Sequence, residues 1–207
     1  MTQPLRFSTA DDSEELARAE VYGLLSQLFY APPSPALYEQ LQVAATVAPA
    51  PGAFLESSWT EVVGASRRLA LDQVVAEYDA LFQGIGKPEI FLYGSHHLAG
   101  ALNEKPLVTL RDTLAGLGLE RAETMTETED HIAYLCEVMR FLIAGDDVAV
   151  CNLASQRRFF GAHLRGWAGA LCAQIAAHPA ADFYRAVALF AQAFFEVEAQ
   201  AFDMLDT

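Results

Sequence analysis

Apolar residues recur every three or four positions along most of this 207-residue chain. That spacing buries one face of an α-helix, whereas the strict alternation typical of strands does not occur over any useful length. Proline, glycine and capping residues divide the pattern into segments. The predicted helices cover about residues 11–30, 35–46, 54–64, 67–82, 106–117, 126–144, 148–177 and 181–204.

The turn residues give the first two helices their boundaries. The first apolar stripe runs from Leu16 to Phe29 and stops before Pro32-Pro33. Ser34 followed by Pro35 predicts the N-cap and the first turn of the second helix, because serine accepts a free backbone N–H and proline has none to satisfy.

These helices predict an all-α fold, a single compact bundle of about eight or nine helices. Hydrophobic residues make up 53% of the chain, which is enough to fill a sizeable core. Residues 1–10 are expected to form a flexible N-terminus, and residues 11–207 to form one helical domain. A homodimer stays open, since helix exchange between protomers is a low-cost route to dimers.

The net charge restricts the kinds of binding partner, and the cysteines indicate the cellular compartment. The formal net charge is −14, which disfavours nucleic acid and favours a basic partner. The start of the chain lacks a basic region followed by an apolar run, and no apolar stretch is long enough to span a membrane. Cys136, Cys151 and Cys172 form no metal-binding spacing and are expected to be small buried thiols in a reducing cytoplasm.

The segment of residues 83–105, here called the glycine–proline segment, differs from the rest of the chain. It carries four glycines and two of its apolar residues are aromatic, and it is predicted to be a long structured connection. Tyr78, Leu81 and Phe82 before it, with Pro88 and Tyr93 inside it, are candidates for the apolar wall of a peptide-binding groove. For Leu81 and Phe82, ordinary core packing is the favoured interpretation.

A second candidate is the run Glu127-Thr-Glu-Asp130-His131. Thr124 and Thr126 each precede a glutamate by three residues, which predicts a capping box and a helix that begins near Thr126. The carboxylates would then lie in the first turn, where the helix dipole favours them, and His131 would face inward. The alternative is a helix start with a hydrogen-bonded histidine and no ligand.

Enzymatic alternatives find little support in the motifs. The chain contains no Glu-x-x-His pair for a di-iron centre and no Gly-x-Ser-x-Gly, and the Gly-x-Gly at residues 84–86 lacks a third glycine. We therefore expect no catalytic residues, no metal and no cofactor. A metal- or cofactor-binding enzyme in a helical bundle is the runner-up.

Several strings in a fixed order resemble the TorD/DmsD/NarJ family of redox-enzyme maturation chaperones. The strings are Glu77-Tyr78-x-x-Leu81-Phe82-x-Gly84, Tyr93-Gly-Ser-His96, Pro106-Leu-x-x-Leu110-Arg111, Glu127-x-x-Asp130-His131 and Gln156-x-x-Phe159-Phe160-x-x-His163-Leu164-x-x-Trp167. The resemblance spans roughly residues 12–203. Thr128 departs from the pattern, because the family usually has proline there.

The resemblance implies an all-helical cytoplasmic chaperone and not an enzyme. It implies that the chaperone binds the twin-arginine signal peptide of a molybdopterin oxidoreductase precursor and holds the precursor for cofactor insertion before export. Asp130 and His131 match the pair linked to signal-peptide binding, Glu127 matches the first position of that motif, and Tyr78, Leu81, Phe82 and Pro88 match the adjoining apolar wall. An assembly chaperone that binds the mature subunit is a further alternative.

Overall fold

The computed structural model describes residues 10–46, 55–84, 87–122 and 125–204, which form ten α-helices and one π-helical turn. The all-α class is therefore confirmed. The helices are α1 (Ala10–Tyr30), α2 (Pro35–Val43), α3 (Glu56–Arg68), α4 (Leu71–Tyr78) with the π-helical turn Asp79–Gln83, α5 (Gly94–Ala99), α6 (Lys105–Gly116), α7 (Ile132–Ala144), α8 (Leu153–His163), α9 (Ala168–Ala177) and α10 (Phe183–Met204).

The core lies between α1 and α7 on one side and α10 with α9 and α3 on the other. One face of α10 is buried in the core and includes Phe183, Val187, Phe190 and Phe194. The stripe of α1 begins one turn later than predicted, because Leu16 is exposed and burial starts at Ala19. No helix in the described part of the chain is long and apolar enough to cross a membrane.

Helix α2 begins as its sequence predicts. The Ser34 hydroxyl accepts a hydrogen bond from the Leu37 N–H at 3.2 Å, and Pro35 occupies the first helical position. The helix ends at Val43, three residues earlier than predicted. The expected flexible stretch lies outside the described residues except for Ala10, which is already helical.

Two further helix boundaries differ from the prediction. Helix α3 runs on to Arg68 and not to Gly64, so that the break falls at Leu69-Ala70. The predicted long helix over residues 148–177 is two helices, and Asn152 caps the first of them through a bond from the Ser155 N–H at 3.0 Å. Both halves bury the same helical face, so periodicity alone does not reveal the break.

Helix α5 was missed in the glycine–proline segment. At the amino terminus of α5, the Ser95 N–H donates to the Asp130 carboxylate at 2.8 Å. The group that caps this helix therefore lies 35 residues away in the sequence. Gly100 ends the helix in the left-handed conformation, at φ 79°. Local sequence could not show a cap supplied from such a distance.

A buried ion pair joins α1 to α10. The Arg18 guanidinium donates to both oxygens of Glu198, at 2.7 and 2.9 Å, and the Tyr22 hydroxyl donates to the same carboxylate at 3.0 Å. A buried carboxylate with these partners has its charge and its lone pairs satisfied. The helical pattern of the sequence does not indicate that Arg18 and Glu198 interact.

Glu77, at the end of α4, caps the amino terminus of α10. Its carboxylate accepts the backbone N–H groups of Asp182, Phe183 and Tyr184, at 2.8 to 3.0 Å. A negative charge at this end of a helix also meets the positive end of the helix dipole. The neighbouring Tyr78 hydroxyl donates to the carbonyl of Tyr30 at 2.7 Å, where α1 ends.

We predict that Glu77→Ala lowers the free energy of unfolding by about 1–2 kcal/mol, because three N–H groups of α10 lose their acceptor. Urea denaturation followed by circular dichroism would measure the change. The matched control is Glu39→Ala, since Glu39 is an exposed glutamate of α2. Equal midpoints for the two variants would contradict this role of Glu77.

The π-helical turn ends at Gly84, where glycine is required. Its φ is 52°, and a Cβ atom there would lie 2.2 Å from the Lys87 carbonyl oxygen. That backbone atom cannot move aside in the way a flexible side chain could. Gly84 therefore fixes the turn by which the glycine–proline segment leaves α4.

We predict that Gly84→Ala destabilises the protein by about 1–3 kcal/mol, because the substitution combines left-handed strain with a backbone clash. Gly64→Ala is the control, for which the change in stability should have the opposite sign. Gly64 lies within α3 with nothing near its missing Cβ, so alanine should stabilise the helix by about 0.5–1 kcal/mol. Thermal melts of the two variants should shift in opposite directions.

Candidate functional site

The glycine–proline segment and residues 125–131, here called the motif loop, meet as two short extended stretches. Tyr93 and His131 form an isolated antiparallel bridge. The Ile132 N–H donates to the Leu92 carbonyl at 2.8 Å, and the Gly94 N–H donates to the Asp130 carbonyl at 2.9 Å. The two segments singled out in the sequence therefore lie side by side.

The predicted helix start near Thr126 was wrong. Helix α7 begins at Ile132, and His131 is its N-cap, with Nδ1 accepting the Ala133 N–H at 3.2 Å. The carboxylates of residues 127–130 therefore lie in the turn before the helix and not in its first turn. The bridge to Tyr93 holds His131 in an extended conformation, and this tertiary constraint overrides the local capping pattern.

Asp130 is 2% exposed, and both of its carboxylate oxygens accept hydrogen bonds within the fold. Oδ2 accepts the Ser95 N–H at 2.8 Å, and Oδ1 accepts the Thr128 hydroxyl at 2.7 Å. Asp130 thus ties the start of α5 to the motif loop. Thr128, which replaces the usual proline of the motif, supplies a hydroxyl donor that proline could not.

His131 is 4% exposed and sits among tyrosine rings. Its ring centroid lies 5.1 Å from that of Tyr93, 5.8 Å from Tyr134 and 6.4 Å from Tyr30. Burial lowers the pKa of His131 to about 4, although the carboxylates of Glu127 and Asp130 act in the opposite direction. The imidazole is therefore neutral at pH 7, and its Nδ1 is free to accept the N-cap bond.

Glu127 differs from Asp130 because it is partly exposed, and from Glu129 because no ion pair within the described residues neutralises it. Its carboxylate accepts a hydrogen bond from the Tyr93 hydroxyl. Burial, together with this bond and the Glu127 charge, raises the pKa of Tyr93, so the phenol stays a donor. By contrast, Glu129 is paired with Arg111 at 2.8 Å and lies 3.8 Å from Arg121.

The predicted apolar wall divides into a buried layer and a partly exposed one. Tyr78, Leu81 and Phe82 are buried, with the Phe82 ring 5.1 Å from those of both Tyr78 and Tyr184. Tyr93 is partly exposed and pairs with the motif loop, and Pro88 is partly exposed in the glycine–proline segment. Leu81 and Phe82 are therefore core residues, as favoured from the sequence, and they support the residues that face solvent.

Two tyrosines of this site were missed in the sequence. Tyr30, which is 42% exposed at the end of α1, and Tyr134 of α7 both contact the His131 ring, and their own ring centroids are 5.7 Å apart. The Tyr134 hydroxyl meets no hydrogen-bond partner of acceptable geometry among the described residues. Tyr134 could have been found as the residue three positions after His131, on the same helical face.

The site thus combines one partly exposed carboxylate without an ion pair, several phenol groups and a buried neutral imidazole. A carboxylate flanked by aromatic rings suits a guanidinium group, which binds carboxylates bidentately and stacks on aromatic faces. Within the described ranges, no three His, Cys, Asp or Glu side chains are grouped to hold a metal ion. Cys136 and Cys172 are buried free thiols, as expected, whereas Cys151 is partly exposed.

The fold and this loop geometry agree with a known family. A family model described as nitrate reductase delta subunit matches residues 46–173, which include both segments of the site. The match covers more than half of the chain, so the chain belongs to this family, the NarJ/TorD family of the resemblance. The resemblance drawn from the sequence strings is confirmed.

Individual relatives extend the likeness over nearly the whole chain. Proteins named "Chaperone protein TorD" from two strains of Vibrio cholerae serotype O1, ATCC 39541 (Classical Ogawa 395, O395) and M66-2, are each 28% identical to it over 204 residues. The alignment covers 91% of this chain and 93% of each relative. It therefore includes residues in α1 or α10 that the family match leaves out.

We predict that His131 makes stability depend on pH between about 6.5 and 4. Because its pKa is lower in the folded state, the unfolded chain binds more protons in this range, and the free energy of unfolding falls as pH falls. The loss attributable to His131 should reach about 2–3 kcal/mol near pH 4. Urea denaturation at a series of pH values would measure it.

The control is His131→Asn, which keeps an N-cap acceptor but cannot titrate. His97 and His163 also have pKa values lowered by burial, and they remain in both proteins. The difference in pH slope between wild type and variant therefore isolates His131. Parallel slopes from pH 7 to pH 4 would contradict the buried, neutral imidazole.

Proposed function

We propose that this chain is a cytoplasmic chaperone that binds the twin-arginine signal peptide of a molybdopterin oxidoreductase precursor. In this role it holds the precursor for cofactor insertion before export and acts by binding, not by catalysis. The family and the relatives named as TorD chaperones support a role in the maturation of redox enzymes. The observation that carries the signal-peptide step is the unneutralised carboxylate of Glu127 among tyrosine rings.

Glu127 is the residue that we assign to the arginine side chain. It is partly exposed, and its carboxylate has lone pairs beyond those that accept the Tyr93 hydroxyl and, at 3.4 Å, the Thr126 hydroxyl. A guanidinium can donate two parallel N–H bonds to such a group. The exposed ring of Tyr30 adds an aromatic face nearby, and the net charge of −14 steers basic segments toward the protein.

Asp130 and His131 take a different part in this proposal. Their polar groups are used within the fold, Asp130 by Ser95 and Thr128 and His131 by the N-cap bond. They therefore act by positioning the motif loop that presents Glu127. Pro88 and Tyr93 form the partly exposed wall, and Tyr78, Leu81 and Phe82 support it from the core.

The test uses a synthetic peptide with two consecutive arginines followed by an apolar segment of roughly 7–15 residues. We expect calorimetry to show binding by the wild-type chain and binding about tenfold or more weaker by Glu127→Gln, because the arginine loses a charged acceptor. Lysines in place of the two arginines should also weaken binding, since lysine cannot form the bidentate pair.

The matched control is Glu61→Gln, which removes an equal charge from an exposed position of α3. It should bind like wild type. Asp130→Asn should lose binding together with thermal stability, whereas Glu127→Gln should keep its melting temperature. Equal binding by Glu127→Gln and Glu61→Gln would remove the assigned site, and no binding by wild type would contradict the signal-peptide function.

A further inference from the structure

A second apolar surface lies beyond the motif loop, between the end of α6 and the solvent side of α7. It is a groove of about 230 Å³, here called the α6–α7 groove. Its apolar lining consists of Leu114, Leu119, Met125, Val138 and Phe141, and Tyr134 forms one wall. The sequence had pointed to the opposite side of the loop, toward the glycine–proline segment.

The groove presents large apolar side chains to solvent. Phe141 is 37% exposed, and Leu119 and Val138 are only partly buried although they pack against the core. Its volume is below the roughly 300–1,000 Å³ of most small-molecule pockets. These dimensions suit apolar side chains of a peptide better than a whole cofactor.

Three carboxylates line the groove. Glu120 is exposed to solvent and is followed by Arg121, which also lines the groove, and the other two are neutralised by arginines. Glu129 is held by Arg111 through two bonds, at 2.8 and 3.1 Å, and Glu137 is held by Arg140 at 2.9 Å. An occupant therefore gains little by carrying positive charge here. The groove therefore suits an uncharged apolar segment. In the neighbouring site, by contrast, Glu127 offers a partly exposed carboxylate without an ion pair.

Tyr134 connects the two sites. On one side its ring lies 5.8 Å from the His131 ring and 5.7 Å from the Tyr30 ring, and on the other it lines the groove with Glu129. Glu129 and Met125, which also line the groove, belong to the motif loop that carries Glu127. A single extended peptide could therefore contact Glu127 and then pass Tyr134 into the groove.

We propose that the α6–α7 groove receives the apolar segment that follows the arginines of the same signal peptide. This inference rests on the proposed function and adds a second subsite to it. The charges and the lining assign the parts of the peptide. The arginine binds at Glu127, which has no ion pair, and the apolar residues bind along the apolar lining beside Glu129 and Glu137, which are already paired. Tyr134 forms the boundary between the subsites.

The test compares Phe141→Asp with Leu189→Asp in the full chain. Leu189 is a matched control, because it is an apolar helical residue that is 44% exposed on α10, away from the groove. Calorimetry with the synthetic twin-arginine peptide should show about tenfold weaker binding by Phe141→Asp and unchanged binding by Leu189→Asp. Thermal melts would establish that both variants are folded.

A second synthetic peptide, in which serines replace the apolar residues and both arginines are kept, tests the two subsites separately. Wild type and Phe141→Asp should bind it equally weakly, while Glu127→Gln should weaken that binding further. Equal affinities of Phe141→Asp and Leu189→Asp for the first peptide, with Glu127→Gln still defective, would overturn the groove and leave the proposed function standing. Loss of self-association in Phe141→Asp without loss of peptide binding would assign the groove to a second copy of the chain and overturn the proposal.

Failure of wild type to bind either peptide would contradict the proposed function itself, and the groove proposal with it. Val138→Asp provides a second groove variant if Phe141→Asp does not fold, since Val138 lines the same groove one turn earlier on α7. The two groove variants should give the same pattern with the two peptides.

Discussion

The short backbone pairing between residues 92–94 and residues 130–132 determines most of the geometry around the candidate site. It joins segments that are almost 40 positions apart, and the side chain of Asp130 strengthens it by accepting the Ser95 N–H. The same few residues fix where α5 and α7 begin. The position of Glu127, the environment of His131 and the approach of Tyr93 all follow from this pairing.

Three residues of the strings that resemble the family have structural partners within the fold. Glu77 caps α10, Tyr78 closes the end of α1, and Asp130 holds α5. A buried polar group whose partner is removed costs free energy whether or not a ligand is present. Loss of peptide binding on substitution of Asp130 would therefore report a displaced loop, whereas loss on substitution of Glu127 reports a missing contact.

The sequence predicted the helical class and most helix ends, because helical periodicity and the turn residues around Ser34-Pro35 are local signals. It failed where the deciding partner is distant. Helix α5 depends on Asp130, and the start of α7 depends on Tyr93. The same limit applies to the site: the acidic run was visible, but only the fold distinguishes Glu127 from the neutralised Glu129.

The π-helical turn Asp79–Gln83 makes this part of the chain sensitive to its length. Each residue of a helix turns the chain by about 100°, so gaining or losing one residue changes the direction of every side chain that follows. Here both Leu81 and Phe82 are buried, and the displaced Leu81 carbonyl accepts the Ile90 N–H at 2.9 Å. Deleting one residue from the turn would turn the chain that follows by about 100° and displace the carbonyl that anchors the glycine–proline segment. Insertions and deletions that surface loops would tolerate are therefore expected to be excluded from this turn.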